Sequence, residues 1–146
     1  MRRDDAFNRL RRVRDDFDAV SFALENVAER LERGGMITTS FTVEQLRRCA
    51  TNLESTYLVR LFAEFEAILR DYWRHARRRR TRPQMERLID SIAAYCDMND
   101  MVRKGTHEVR KHRNDLVHHE GTAKSMRLSE VLARLGQFLS WLPLRW

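Results

Sequence analysis

The chain is short of the residues that build turns, with 5 glycines and 2 prolines among 146 residues. A sandwich or barrel needs a turn signal about every 8–12 residues, so this scarcity excludes a sheet protein. Cysteine is scarcer still. Cys49 and Cys96 are far apart, fit no metal or redox spacing, and both fall at apolar helical positions, so they read as reduced core residues. No apolar run approaches the ~18 residues that a membrane span requires. The opening Met1-Arg2-Arg3-Asp4-Asp5 lacks the apolar core of a signal peptide. Together these absences exclude a disulfide scaffold and a membrane-spanning protein, and a cytoplasmic location is expected. A chain of this size buries roughly two thirds of its unfolded surface, so residues 1–146 are expected to form one domain without a metal or disulfide staple.

Charge and helical periodicity are abundant. Lys and Arg number 28 against 21 Asp and Glu, a net charge of +7 and a sequence pI near 10.2. A surplus of that sign favours polyanionic partners, nucleic acid ahead of anionic membrane. Leu10, Val13, Phe17, Val20, Leu24, Val27 and Leu31 recur at spacings of three and four and define one long helix ended by Gly34-Gly35. Thr42-Val43-Glu44-Gln45 is a capping-box pattern. The helix it opens carries Leu46, Cys49, Leu53, Tyr57, Leu61, Phe65, Ile68 and Tyr72 and is expected to reach about Arg79. Thr81-Arg82-Pro83 breaks it, with Pro83 suited to the first position of a third helix lined by Met85, Leu88, Ile89, Ile92 and Cys96. A polar hinge, Asp97 to Asp100, leads to a fourth helix that Gly105-Thr106 interrupts or caps. The last begins near Ser129 and stops before Pro143. The expected fold is all-α, an up-and-down bundle of four to five helices.

One stretch carries candidate chemistry: Val109-Arg110-Lys111-His112-Arg113-Asn114-Asp115-Leu116-Val117-His118-His119. At ~100° per residue, Val109, Leu116 and Val117 lie at about −40°, −60° and +40° from Arg113, so Arg113 points into the apolar face. An uncompensated guanidinium there costs several kcal/mol, so a carboxylate, a partner chain or an anionic ligand must compensate it. Asn114 and His118 lie one turn apart. Asp115 is three residues before His118 and four before His119, within reach to fix an imidazole. His119 reads either as an auxiliary to this site or as solvent-facing. His107 and His112, five residues apart, do not suit two metal ligands on one helix face.

Arg113-Asn114-Asp115-Leu116-Val117-His118 resembles the Arg-x(4–6)-His signature of HEPN domains in its shortest spacing. The longer run to Gly121 is similar to the Arg-Asn-x-Ile-Ala-His-Gly form of several bacterial HEPN subfamilies. The resemblance covers under ten residues by motif and extends to the rest of the chain only through the HEPN-like bundle. It implies an endoribonuclease that needs no metal or cofactor and works as a homodimer, the two motif helices meeting at the two-fold axis. Arg113 would then bind the scissile phosphate and His118 would move protons during attack by the ribose 2′-OH, leaving a 2′,3′-cyclic phosphate. Asn114 would orient His118 or the phosphate. An imidazole, whose ordinary pKa is about 6.5, serves as acid or base at neutral pH, and a fixed guanidinium suits a phosphorane. The family includes toxins of toxin–antitoxin and phage-defence systems. Where adenylylated members carry a tyrosine two residues after the motif His, this chain has Glu120. That departure argues against silencing by adenylylation and leaves a protein antitoxin open.

Arg74, Arg77, Arg78, Arg79, Arg80 and Arg82 place six arginines in nine residues with no acid among them. Two readings apply: a helix end favoured by the macrodipole, and an RNA-binding phosphate patch. Tyr72 and Trp73 just before it fit core spacing. The rival to the nuclease is a catalytically silent HEPN-like module that binds RNA or nucleotide, or acts as a dimerisation or adaptor subunit. A basic helical DNA-binding protein is a third class, though no helix-turn-helix pattern is present.

Overall fold

The computed structural model describes residues 1–33, 41–76, 78, 81–118 and 126–146. Five helices follow one another: α1 (Arg3–Glu32), α2 (Val43–His75), α3 (Met85–Tyr95), α4 (Asp100–His118) and α5 (Leu128–Ser140). The described residues contain no strand beyond an isolated antiparallel bridge between Arg2 and Arg145. The fold is the expected all-α bundle.

α2 is the axis of the molecule and packs against each of the other four helices. Its start is fixed by the expected box: the Thr42 hydroxyl accepts from the Gln45 N–H (3.2 Å), and the Gln45 side chain accepts from the Thr42 N–H (2.7 Å). From Leu58 onward its inner face is sealed by Leu58, Leu61, Phe62, Phe65, Ile68, Leu69 and Tyr72. Burying each such side chain contributes roughly 1.5–3 kcal/mol. Phe65 meets Phe138 of α5 edge to face, with ring centroids 5.5 Å apart. The ends of the chain clasp there too. The Met1 ammonium donates to the Trp146 carbonyl, and the Trp146 ring stacks edge-on to Tyr72 while its N–H donates to Asp71.

Burial is uneven along the first two helices. In α1 only Ala6, Leu10 and Val13 are buried, and in α2 only Leu46 is buried before Leu58. The long apolar stripe of α1 is therefore real, but its second half is only partly covered. Cys49, expected in the core, is exposed for the same reason. Cys96 is half-buried, with its sulfur 3.6 Å from the Tyr72 hydroxyl, and both cysteines are free.

Several boundaries differ from expectation. α2 stops at His75 rather than near Arg79, because repulsion along the arginine run opposes further winding. Arg78, just beyond the end, has φ 48°. Pro83 lies before α3 rather than in its first turn, with Gln84 at the N-cap. α3 ends in a Schellman-type turn: Asp97 adopts φ 47° and the Met98 N–H donates to the Ala93 carbonyl at 2.9 Å. α4 runs through Gly105 without interruption. α5 has no capping side chain of its own, and Glu54 of α2 accepts from the Leu128 N–H at 2.8 Å instead.

Candidate active site on the last turns of α4

α4 lies against α2, α3 and α5. Its inward residues are Thr106, Val109 and His112, with Leu116 partly buried beyond them. The buried stripe is centred on Val109, so Arg113 sits ~40° to one side of its middle. Val117, expected inside, is 43 % exposed.

Charge on α4 changes character along its length. In the first part each charged side chain has an ionic partner. Arg103 bonds Asp90 and Asp100, Lys104 bonds Asp100, His107 bonds Asp90 at 2.8 Å, Glu108 bonds Arg134 of α5, and Arg110 bonds Glu86 of α3. Burial raises the Asp90 carboxyl, but hydrogen bonds from His107 and Arg103 outweigh it and hold the group below its ordinary value. From Lys111 to His118 no ion pair forms among the described residues.

At the junction of the two parts lie the unsatisfied groups. Among the described residues, three buried side-chain nitrogens or oxygens have no hydrogen-bond partner: Arg110 Nε, His112 Nδ1 and Arg113 Nε. All three fall within four consecutive residues of one helix. Buried polar atoms are nearly always paired, and each exception calls for a reason. Arg113 is half-buried, and its only partner among the described residues is the neutral side chain of Asn114, whose Oδ1 accepts from Nη1 at 3.1 Å. No described carboxylate balances it. The guanidinium thus carries its charge into a partly dehydrated position with hydrogen-bonding capacity left over.

The remaining expected site residues are placed differently. His118 is exposed at the end of α4, and no hydrogen bond joins it to Arg113, Asn114 or Asp115. Asp115 is half-buried and does not hold the imidazole as its spacing suggests. His119 lies outside the described residues. Arg113 and His118 are five residues apart, ~140° around the helix, so a single copy of α4 does not aim both at one small ligand. A cavity of about 740 Å³ opens at the other end of α4, beside Met101, Gly105 and Arg134.

His112 was missed as a site residue because hydrophobic periodicity counts imidazole as polar. It is only 6 % exposed, and its Nε2 accepts from the Met126 N–H at 3.3 Å. The signal was available, since His112 lies three residues after Val109 and four before Leu116 on the buried stripe. Of the arginine run, Arg74, Arg78 and Arg82 are exposed, and Arg74 and Arg82 line a cavity between α2 and α3 that contains no residue of α4. Arg77, Arg79 and Arg80 lie outside the described residues.

No protein-family model, curated protein or solved structure matches this chain. No described helix is long and apolar enough to cross a membrane, and no described group of three or more His, Cys, Asp or Glu side chains could hold a metal ion.

Proposed function

We propose that this protein is a metal-independent endoribonuclease of the HEPN kind, acting as a symmetric dimer through the last turns of α4. The observation that carries the reading is the cluster of unsatisfied nitrogens there, with the Arg113 guanidinium among them and no described acid to neutralise it. A phosphodiester supplies the negative charge that the half-buried Arg113 guanidinium lacks. Arg113 would bind the scissile phosphate and stabilise charge on the phosphorane. His118 would pass the proton from the 2′-OH to the departing 5′-oxygen, leaving a 2′,3′-cyclic phosphate. Asn114 would hold the guanidinium in place.

The ~140° between Arg113 and His118 fits a composite site better than a site within one chain. Across a two-fold axis, each residue of one copy meets the surface of the other reciprocally. His118 of one copy can then stand beside Arg113 of its partner, with the exposed Val117 offering apolar contact at the seam. A toxin role, with a protein antitoxin that occludes this face, is consistent with the chemistry. The absence of a bond from Asp115 to His118 favours the second reading, a silent module that binds RNA without cutting it.

Incubation with total RNA in EDTA separates them. The wild-type protein is expected to cut. His118→Ala is expected to lose ~10²–10⁴-fold in rate, the usual contribution of a positioned acid–base group, and Arg113→Ala a loss of ~10²–10³-fold. Mixing the two inactive variants is expected to restore roughly a quarter of the activity, since half the dimers then hold one intact composite site. Equal cleavage by all three proteins overturns the proposal, and binding without cleavage by the wild type selects the silent module.

A further inference from the structure

We propose that the cleft between the end of α2 and the start of α3 binds a nucleotide, free or as one unit of a single strand. Its phosphate is held between Arg74 and Arg82, and its base lies on an apolar floor beside Trp73. The site is separate from the last turns of α4 and rests on none of the same residues.

The cleft has the composition such a ligand requires. Its volume is about 210 Å³, below the ~300–1,000 Å³ of drug-sized sites and suited to one ring system. The apolar floor is the exposed Ala67, with the fully buried Leu88 sealed behind it. One wall is the half-buried indole of Trp73, whose N–H donates to the Thr81 hydroxyl at 3.3 Å. That bond fixes the plane of the ring and ties α2 to the segment leading into α3. A planar base can lie against this surface whatever its sequence, because every base has a π-face.

The three arginines of the cleft are not equivalent. Arg70 is neutralised by Glu66 at 2.6 Å and also donates to the Pro83 carbonyl at 3.3 Å. It is a strut that closes the back of the cleft. Arg74 and Arg82 are exposed and have no carboxylate partner among the described residues. Both line the cleft, one from the last turn of α2 and the other from the connection to α3, so two arginines border one opening. Two such side chains can clamp a phosphate from both sides, the geometry for which guanidinium is suited. A solvated helix end would explain Arg74 through the macrodipole. It does not explain Arg82, which belongs to no helix, nor the aromatic wall and apolar floor between them. Arg77, Arg79 and Arg80 add positive charge in the sequence, but the proposal uses none of them.

The test is fluorescence polarisation with a labelled oligodeoxyuridylate decamer, which lacks the 2′-OH and cannot be cut by the proposed chemistry. Protein carrying Arg113→Ala removes binding at α4. In that background Arg74→Gln with Arg82→Gln is expected to weaken binding about tenfold or more and to flatten the salt dependence by about 0.7, the value for one phosphate contact on a single strand. Removing equal charge elsewhere, with Arg87→Gln and Lys111→Gln, is expected to change affinity by less than about threefold. Trp73→Phe should bind nearly as the parent does while Trp73→Leu loses about fivefold or more, with circular dichroism showing both folded. Uridine monophosphate is expected to displace the decamer where inorganic phosphate at the same concentration does not. Displacement at equal concentrations assigns a free nucleotide, and displacement only at large excess assigns a strand. Equal weakening by the two double variants would reduce the cleft to diffuse electrostatics and overturn the proposal. So would displacement by phosphate alone, or stronger displacement by phosphotyrosine than by the nucleotide.

Discussion

Replacing Arg113 by methionine is expected to stabilise the isolated chain while removing the proposed ribonuclease activity. Arg113 Nε is sequestered without an acceptor, and no described carboxylate faces the guanidinium. A buried unsatisfied donor costs ~1–3 kcal/mol. Because the residue as a whole is only half-buried, the lower end applies, about 1 kcal/mol. Methionine keeps the length and helix propensity of arginine, so the substitution removes the charge and the orphan donor without disturbing α4. Its side chain gains contact beside Val109 and Leu116. For a domain near this length, about 1 kcal/mol corresponds to a rise in Tm of ~2–4 °C. Thermal unfolding followed by circular dichroism at low protein concentration, where association does not contribute, reads this directly. A fall of 2 °C or more would show that the guanidinium is stabilised within the fold, and the reasoning that reserves it for a phosphate would fail.

Two further expectations concern stability alone. Asp97→Gly should raise stability by roughly 0.5–1 kcal/mol, the left-handed penalty of ~1–2 kcal/mol less the added chain entropy of glycine, and denaturant unfolding with an unchanged m value checks it. Asp90, held below its ordinary value near 3.9 by His107 and Arg103 once burial is outweighed, contributes stability that is fully present above that value and is lost as pH falls through its lower folded value. Comparing Asp90→Asn with wild type by thermal unfolding should therefore show a gap in Tm that is constant above about pH 5 and closes at lower pH. A gap that persists undiminished at about pH 2 would mean the carboxylate charge is not its source.

Helix number and order were legible in the sequence because amphipathic spacing and capping chemistry are local. Thr42 and Gln45 cap α2 as their types demand. What the pattern could not give was depth. Leu46, Cys49 and Leu53 continue the stripe of Leu61 and Phe65, yet Cys49 is exposed, since periodicity reports which way a residue faces and not whether anything packs there. The same gap separates Val117 from Val109. At the candidate site, the inward set of Arg113 was readable from its angle to Val109, and its sequestered Nε agrees with that reading. The Asp115–His118 contact was not made, because spacing permits such a pair without enforcing it. His112 escaped notice because a half-polar ring on an apolar stripe is invisible to a two-letter code. Glu54 capping α5 was beyond reach, being a contact between residues 74 positions apart.

The uneven covering of the first two helices gives the molecule a direction of loosening. Beyond Leu58 and Val13 the paired rods lean mainly on each other, while behind those residues the rest of the bundle grips them. Fraying should start at the tip and run inward, and the first outside contact it meets is Glu54, which caps α5. The hairpin is thus tied to the candidate site: Glu54 holds the start of α5, and Met126 just before it bonds His112, so a partner that grips the tip pulls close to the last turns of α4.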